Sequence, residues 1–202
     1  MSEFDNPYGV FALEQRFKET GSLVEHLLIM ADFLEYQVNQ IICTEFPDNR
    51  LLGIARKANF SPEQRLSFAV GCVSTVLSLD DLDGDAVVYF LGRVNEIYAL
   101  RRMLPTLGQA DVEARVKRLY HVSKGDEESW KIITTVIEAF NDVPGNPSDL
   151  PATDLFDRFA IPIYNFMIDF VDEYQSVISD LKLESGGSDD GGLMDSEDED
   201  GA

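Results

Sequence analysis

Cations are scarce in this sequence. Sixteen Lys and Arg stand against 37 Asp and Glu in 202 residues, giving a formal charge of −21 and a sequence pI near 4.2. That balance disfavours binding of a nucleic-acid backbone through the overall field, because attraction to phosphate needs an excess of cations. Adhesion to anionic lipid is disfavoured on the same ground. Cysteine is equally rare: Cys43 and Cys72 each sit in an apolar, helix-patterned segment, where a thiol is expected to act as a small buried hydrophobe rather than a disulfide partner. Long apolar runs are missing. The longest stretch without a charge, Leu66 to Leu79, has 14 residues and four hydroxyl side chains, whereas a spanning helix needs about 20 apolar residues. The N-terminal MSEFDNPYG carries acids where a signal peptide would carry bases. A cytoplasmic protein with reduced cysteines is the expectation.

No alternating run bounded by hairpin dipeptides occurs, and no internal repeat. What is present is helix punctuation around apolar stripes. Ser22 and Glu25 have capping-box spacing ahead of a helix that runs until Pro47. In it Leu23, Leu27, Met30, Ala31, Leu34, Val38, Ile41 and Ile42 form an apolar face, which Ile29, Phe33 and Tyr36 widen, so it should touch neighbours on more than one side. Ser61-Pro62-Glu63-Gln64 opens a helix to about Leu77. Asp83 or Asp85 can cap the next, through Leu104, and a shorter helix is expected from Asp111 to Ser123. Asp126 then opens DEESWKIITTVIEAFNDV, whose early acids complement a helix dipole. The last segment places Ile163, Phe166, Met167, Phe170, Val171, Tyr174, Val177, Ile178 and Leu181 three and four apart, with Pro162 starting or kinking it. Residues 185–202 hold five glycines and seven acids and no base; such a stretch cannot bury enough surface to offset its ordering entropy. The expectation is an all-α, single-domain bundle of six to seven helices over residues 1–184, with a disordered acidic tail over 185–202.

Chemistry-bearing patterns are few. Asp80, Asp81, Asp83 and Asp85 crowd one turn, but an EF-hand register on Gly84 puts Leu79 at position 1 and Phe90 at position 12. A DDxxD reading fails at Gly84. A solvated, helix-capping turn is the reading, and no metal site is assigned. His26 and His121 have no HExxH or ExxH context, and His26 is expected to be a hydrogen-bonded helix residue. No GxSxG, Walker or GxGxxG motif occurs, so neither an enzyme nor a cofactor is expected. Asp32 and Glu35 lie in an otherwise apolar helix and need cationic partners if buried, for which Arg65, Arg101 and Arg102 are candidates. The cations themselves are unevenly placed. Residues 93–124 carry seven bases and three acids, a local +4; internal ion pairing to the acidic surround is the favoured reading, and Arg101, Arg102, Arg115, Lys117 and Arg118 are the candidate anion- or partner-binding residues of the functional one. The acidic tail is long enough to fold back on that patch as a shield.

Three segments, HLLIMADFLEYQVNQIICTEF, FSPEQRLSFAVGCV and LGRVNEIYALRRML, together resemble the mannitol operon repressor family of small helical bacterial proteins. The resemblance covers about 80 residues. It implies an all-α regulator acting through protein partners, with no DNA-reading element of its own. The family's Arg-Asn…Ala-His element is not kept: after Arg101-Arg102 the chain reads Met103-Leu104-Pro105-Thr106. The third segment is also similar to the HEPN superfamily, whose nucleases use an Arg-x4–6-His pair. Arg115 and His121 fit that bare spacing, and the resemblance implies RNA cleavage by that pair. The leading expectation is a non-enzymatic regulator or adaptor with a protein partner, no membrane contact and no direct DNA binding, with a homodimer left open. A nucleic-acid-mimicking inhibitor or antitoxin that binds a basic partner is the alternative, and a HEPN-like ribonuclease the second alternative.

Overall fold

The computed structural model describes residues 6–45, 60–76, 84–119, 139, 142 and 149–186. Among these residues the chain is all α-helical, with no strand. Six helices follow one another: α1 (Val10–Glu19), α2 (Leu23–Glu45), α3 (Pro62–Val76), α4 (Gly84–Met103), α5 (Gln109–Leu119) and α6 (Ala152–Gly186). A 3-10 turn over Leu104–Thr106 separates α4 from α5. Its Pro105 lacks the N–H that would continue α4.

Local chemistry explains the boundaries. Asn6 accepts the Tyr8 N–H through Oδ1 at 3.0 Å, a turn that leads into α1. At α3 the capping box forms in full: the Ser61 N–H donates to Gln64 Oε1 (2.9 Å) and the Gln64 N–H donates to Ser61 Oγ (3.3 Å). α4 begins at Gly84, between its two candidate caps.

α2 is the helix that the others cover. It packs along α6 and also meets α1, α3 and α4. All eight residues of its expected apolar face are buried, and Phe33 with them. α6 answers with Leu155, Phe156, Phe159, Ile163, Met167, Phe170 and Tyr174, all buried. α5 rests on α6 and α4. Near the N-terminus the Tyr8 ring stacks on Tyr36 (centroids 3.9 Å apart, planes 4° apart), and the Tyr164 hydroxyl donates to the Tyr8 carbonyl. The Gln37 amide donates to that same hydroxyl at 2.8 Å, so the first residues are tied to both α2 and α6.

Several sequence expectations are revised. α1 was not anticipated, since only Leu13 and Phe17 of its ten residues are buried, too few to set a period. Pro162 does not start the last helix, which begins ten residues earlier and runs through it. Pro151 supplies that start by accepting the Leu155 N–H through its carbonyl (3.0 Å). α6 also continues to Gly186, two residues past the expected domain boundary. Cys43 and Cys72 are half-buried rather than buried, and neither forms a disulfide. Apart from residues 139 and 142, the helix expected after Asp126 lies outside the described residues, as do residues 187–202 of the acidic tail.

Leu34→Ala removes a fully buried side chain at the α2 core and is expected to cost about 2–5 kcal/mol in denaturant unfolding. Leu183→Ala, at a position 75% exposed near the end of α6, should change stability by no more than about 0.5 kcal/mol.

Candidate partner-binding surface

Most described guanidiniums of α3 and α4 are spent inside the bundle. Glu35 and Asp32 of α2 sit opposite α3 and α4. Arg65 Nη1 reaches Glu35 Oε1 at 2.6 Å, and Arg101 Nη1 reaches Glu35 Oε2 at 3.2 Å. Arg101 Nη2 also binds Asp32 Oδ1 at 2.8 Å. Glu35 is therefore clamped between two helices, with only a quarter of its side chain exposed, where an ion pair is screened less than at the open surface. Arg102 turns the other way, to Glu63 Oε1 at 3.1 Å. Glu63 titrates below its ordinary value: burial pushes it up, but hydrogen bonds from its own backbone N–H and from Ser61, with Arg102 alongside, outweigh that.

Beneath this network lies Tyr98, 2% exposed, whose hydroxyl has no hydrogen-bond partner among the described residues. Burial, with Glu35 adding to it, holds that hydroxyl far above the usual phenol range, so it is a neutral group. Arg65 Nε is likewise unpartnered there.

His26 forms a second polar centre. It is 3% exposed and stacks on Phe17 with ring centroids 4.7 Å apart. Nε2 lies 3.2 Å from the Thr20 carbonyl and Nδ1 lies 2.6 Å from Asp157 Oδ1. A carbonyl only accepts, so Nε2 carries a proton, and a second proton lies between Nδ1 and the carboxyl. Both ring nitrogens are thereby engaged in joining the α1–α2 turn to α6. The ring has no free lone pair to offer as a general base. Asp157 titrates above its ordinary value: burial raises it most, the hydrogen bond and charge of His26 oppose that, and Asp154 raises it a little more.

The third feature is open. Between α4 and α5 a cavity of about 190 Å³ is lined by Glu96, Ala99, Leu100, Met103, Arg115, Arg118 and Leu119. Arg115 borders the buried Val112, Val116 and Leu119 stripe of α5, and Arg118 follows one turn later. Neither makes an ion pair with a described residue; Arg118 Nε donates only to the Ala114 carbonyl, at 3.4 Å. The one carboxylate at the cavity among the described residues, Glu96, is held by Arg93 at 2.6 Å, and Arg93 in turn lies over the Tyr89 ring.

The sequence-derived candidates thus separate. Arg101 is committed to internal ion pairs. Arg102 pairs with Glu63 while remaining 69% exposed. Arg115 and Arg118 meet at the α4–α5 cavity, and Lys117 does not line it. Of the three arginines considered for Asp32 and Glu35, Arg65 and Arg101 take them. His121, and with it any Arg115–His121 pairing, lies outside the described residues, as do Asp80, Asp81 and Asp83. Among the described residues no three His, Cys, Asp or Glu side chains are grouped so as to hold a metal ion, and no helix is long and apolar enough to cross a membrane. Sequence reading missed Asp157 and the Thr20 carbonyl as the partners of His26, because 131 residues separate His26 from Asp157. No protein-family model, curated protein or solved structure matches the chain.

Tyr98→Phe removes an unpartnered buried hydroxyl and should leave stability unchanged or raise it by about 1 kcal/mol, read from denaturant midpoints at constant m-value. The pH dependence at Asp157 has a defined sign. Because folding raises its titration, the protonated carboxyl favours the folded state; that contribution is complete below the ordinary value near 4 and is lost as pH rises through the raised one. Asp157→Asn should abolish this falling limb in the stability profile. His26→Leu deletes the group that opposes burial and should move the Asp157 titration further up, as followed by carbon NMR of its side-chain carboxyl.

Proposed function

We propose that this protein is a non-enzymatic helical regulator or adaptor that works by protein–protein contact, in the manner of mannitol-repressor-like transcriptional control without a DNA-reading element of its own. The observation that carries the proposal is the α4–α5 cleft. In a chain of −21, two guanidiniums stand there without carboxylate partners among the described residues, above an aliphatic floor. Evenly distributed acids would neutralise them, as they do Arg65, Arg101 and Arg102. A mixed cationic and apolar surface suits another protein, which supplies both side-chain types. The acidity of the remaining surface limits unspecific association with polyanions and sets the sign of the field that a partner meets. The resemblance to the mannitol operon repressor family points to the same class of activity.

The reading is tested by isolating the full chain from its source cells. A stoichiometric protein partner is expected, retained by the wild type, and incubation of the purified protein with RNA should leave the RNA intact. RNA cleavage by that preparation, abolished by His121→Ala, would replace the proposal with the ribonuclease reading. The surplus of 21 negative charges favours one other reading, a nucleic-acid mimic that presents carboxylates to a basic partner. The two differ in sign. Reversing Arg115 and Arg118 to Glu adds negative charge, which strengthens a mimic's hold on a basic partner.

A further inference from the structure

Resting on the regulator reading, we propose that the α4–α5 cleft binds a short acidic peptide segment of the partner, with one apolar side chain entering the cavity and flanking carboxylates meeting Arg115 and Arg118. Size is the first argument. Pockets for free metabolites and cofactors usually run to about 300–1,000 Å³. The 190 Å³ available here has room for a single side chain. The lining is the second argument. Ala99, Leu100, Met103 and Leu119 make an aliphatic floor, with methionine able to adjust its shape to the guest.

Charge decides what surrounds that side chain. Arg115 and Arg118 lie one helical turn apart on one edge of the floor, so successive acids of an extended or helical segment can reach them. Each would form a charge-assisted hydrogen bond that no described carboxylate now supplies. Glu96 does not cancel them, because Arg93 holds its carboxylate at 2.6 Å. The remaining described cations near this end of α4 do not compete: Arg101 faces Asp32 and Glu35, and Arg102 faces Glu63. The ligand is therefore drawn to α5 and not to the α2–α3 side of the molecule.

A nucleic-acid strand fits this cleft less well. Single strands are held by aromatic platforms on which bases stack, along a continuous cationic groove. Among the described residues the cleft has no aromatic side chain in its lining and two cations without a carboxylate partner, on a molecule whose net charge repels a polyanion.

The test uses the full-length protein and a fluorescent probe peptide, Gly-Leu-Met-Asp-Ser-Glu-Asp-Glu, which has an apolar pair ahead of acids. It is run in parallel on a full-length variant in which Asp195, Glu197, Asp198, Glu199 and Asp200 are changed to their amides, so that the chain's own acidic segment cannot mask the cleft. Saturable binding to at least one form is expected. Arg115→Glu with Arg118→Glu should weaken it at least about tenfold, and replacing the probe's Leu-Met by Ser-Ser should weaken it to a similar degree. Arg16→Glu, which reverses a cation outside the cleft, should leave affinity within about twofold. No binding to either form at millimolar peptide, binding indifferent to Arg115 and Arg118, or tighter binding of a fluorescent oligo(A) through those same arginines would each overturn the proposal. If the isolated partner stays bound to the doubly reversed protein, the cleft proposal falls and the regulator reading stands. If the probe binds as described while no protein partner is recovered, the regulator reading falls alone.

Discussion

The guanidinium of Arg101 reaches two carboxylates of α2, Asp32 at 2.8 Å and Glu35 at 3.2 Å, while Arg65 from α3 closes on the other Glu35 oxygen at 2.6 Å. Three helices meet at one carboxylate. With only 16 cations for 37 acids, each guanidinium placed in such a network is unavailable elsewhere. The position of the few remaining ones is therefore a consequence of how the bundle is held together. Replacing such a pair by hydrophobes is often neutral for stability, whereas removing one member leaves an uncompensated charge. The network's stronger effect here is on register: it fixes which ends of α3 and α4 lie against the middle of α2.

That register has a consequence at the opposite face of α4. Once Arg101 and Arg102 point toward α2 and α3, the α5-facing side of α4 retains Glu96, Ala99, Leu100 and Met103. Arg93 withdraws Glu96 from that side. α5, anchored by Val112, Val116 and Leu119, brings Arg115 and Arg118 to the same place. A cationic edge that no described carboxylate pairs, over an aliphatic floor, results from partner choices made on the other side of the helix. The cleft and the ion-pair network are two results of one allocation of charge.

His26 shows how much of a polar residue's role depends on distant chain. Its position on α2 places it in the buried seam, yet both of its hydrogen-bond partners come from elsewhere: the Thr20 carbonyl at the α1–α2 turn and Asp157 on α6. The expectation of a hydrogen-bonded helix histidine holds. What the ring accomplishes, joining three parts of the fold with both nitrogens occupied, followed only from the packing of α2 on α6. A buried imidazole next to a carboxylate is a familiar catalytic pairing, but here the backbone carbonyl at Nε2 removes the free nitrogen that catalysis would use.

The helices and their buried faces were legible from the residues themselves. Spacing of three and four placed the apolar stripes of α2 and α6, and the Ser61–Gln64 capping box marked the start of α3, because these effects act within a few residues of the chain. Local chemistry also limited the partners of Asp32 and Glu35 to three arginines. It could not choose among them, since an ion pair between helices depends on crossing geometry that no local pattern encodes. α1 escaped notice because two buried side chains set no period, and Pro162 lies inside the last helix rather than at its start because packing and the turns on either side sustain a helix through a proline. The separation of Arg101 and Arg102, which brace the bundle, from Arg115 and Arg118, which line the cleft, was settled in space, where distance and burial determine which charges find each other.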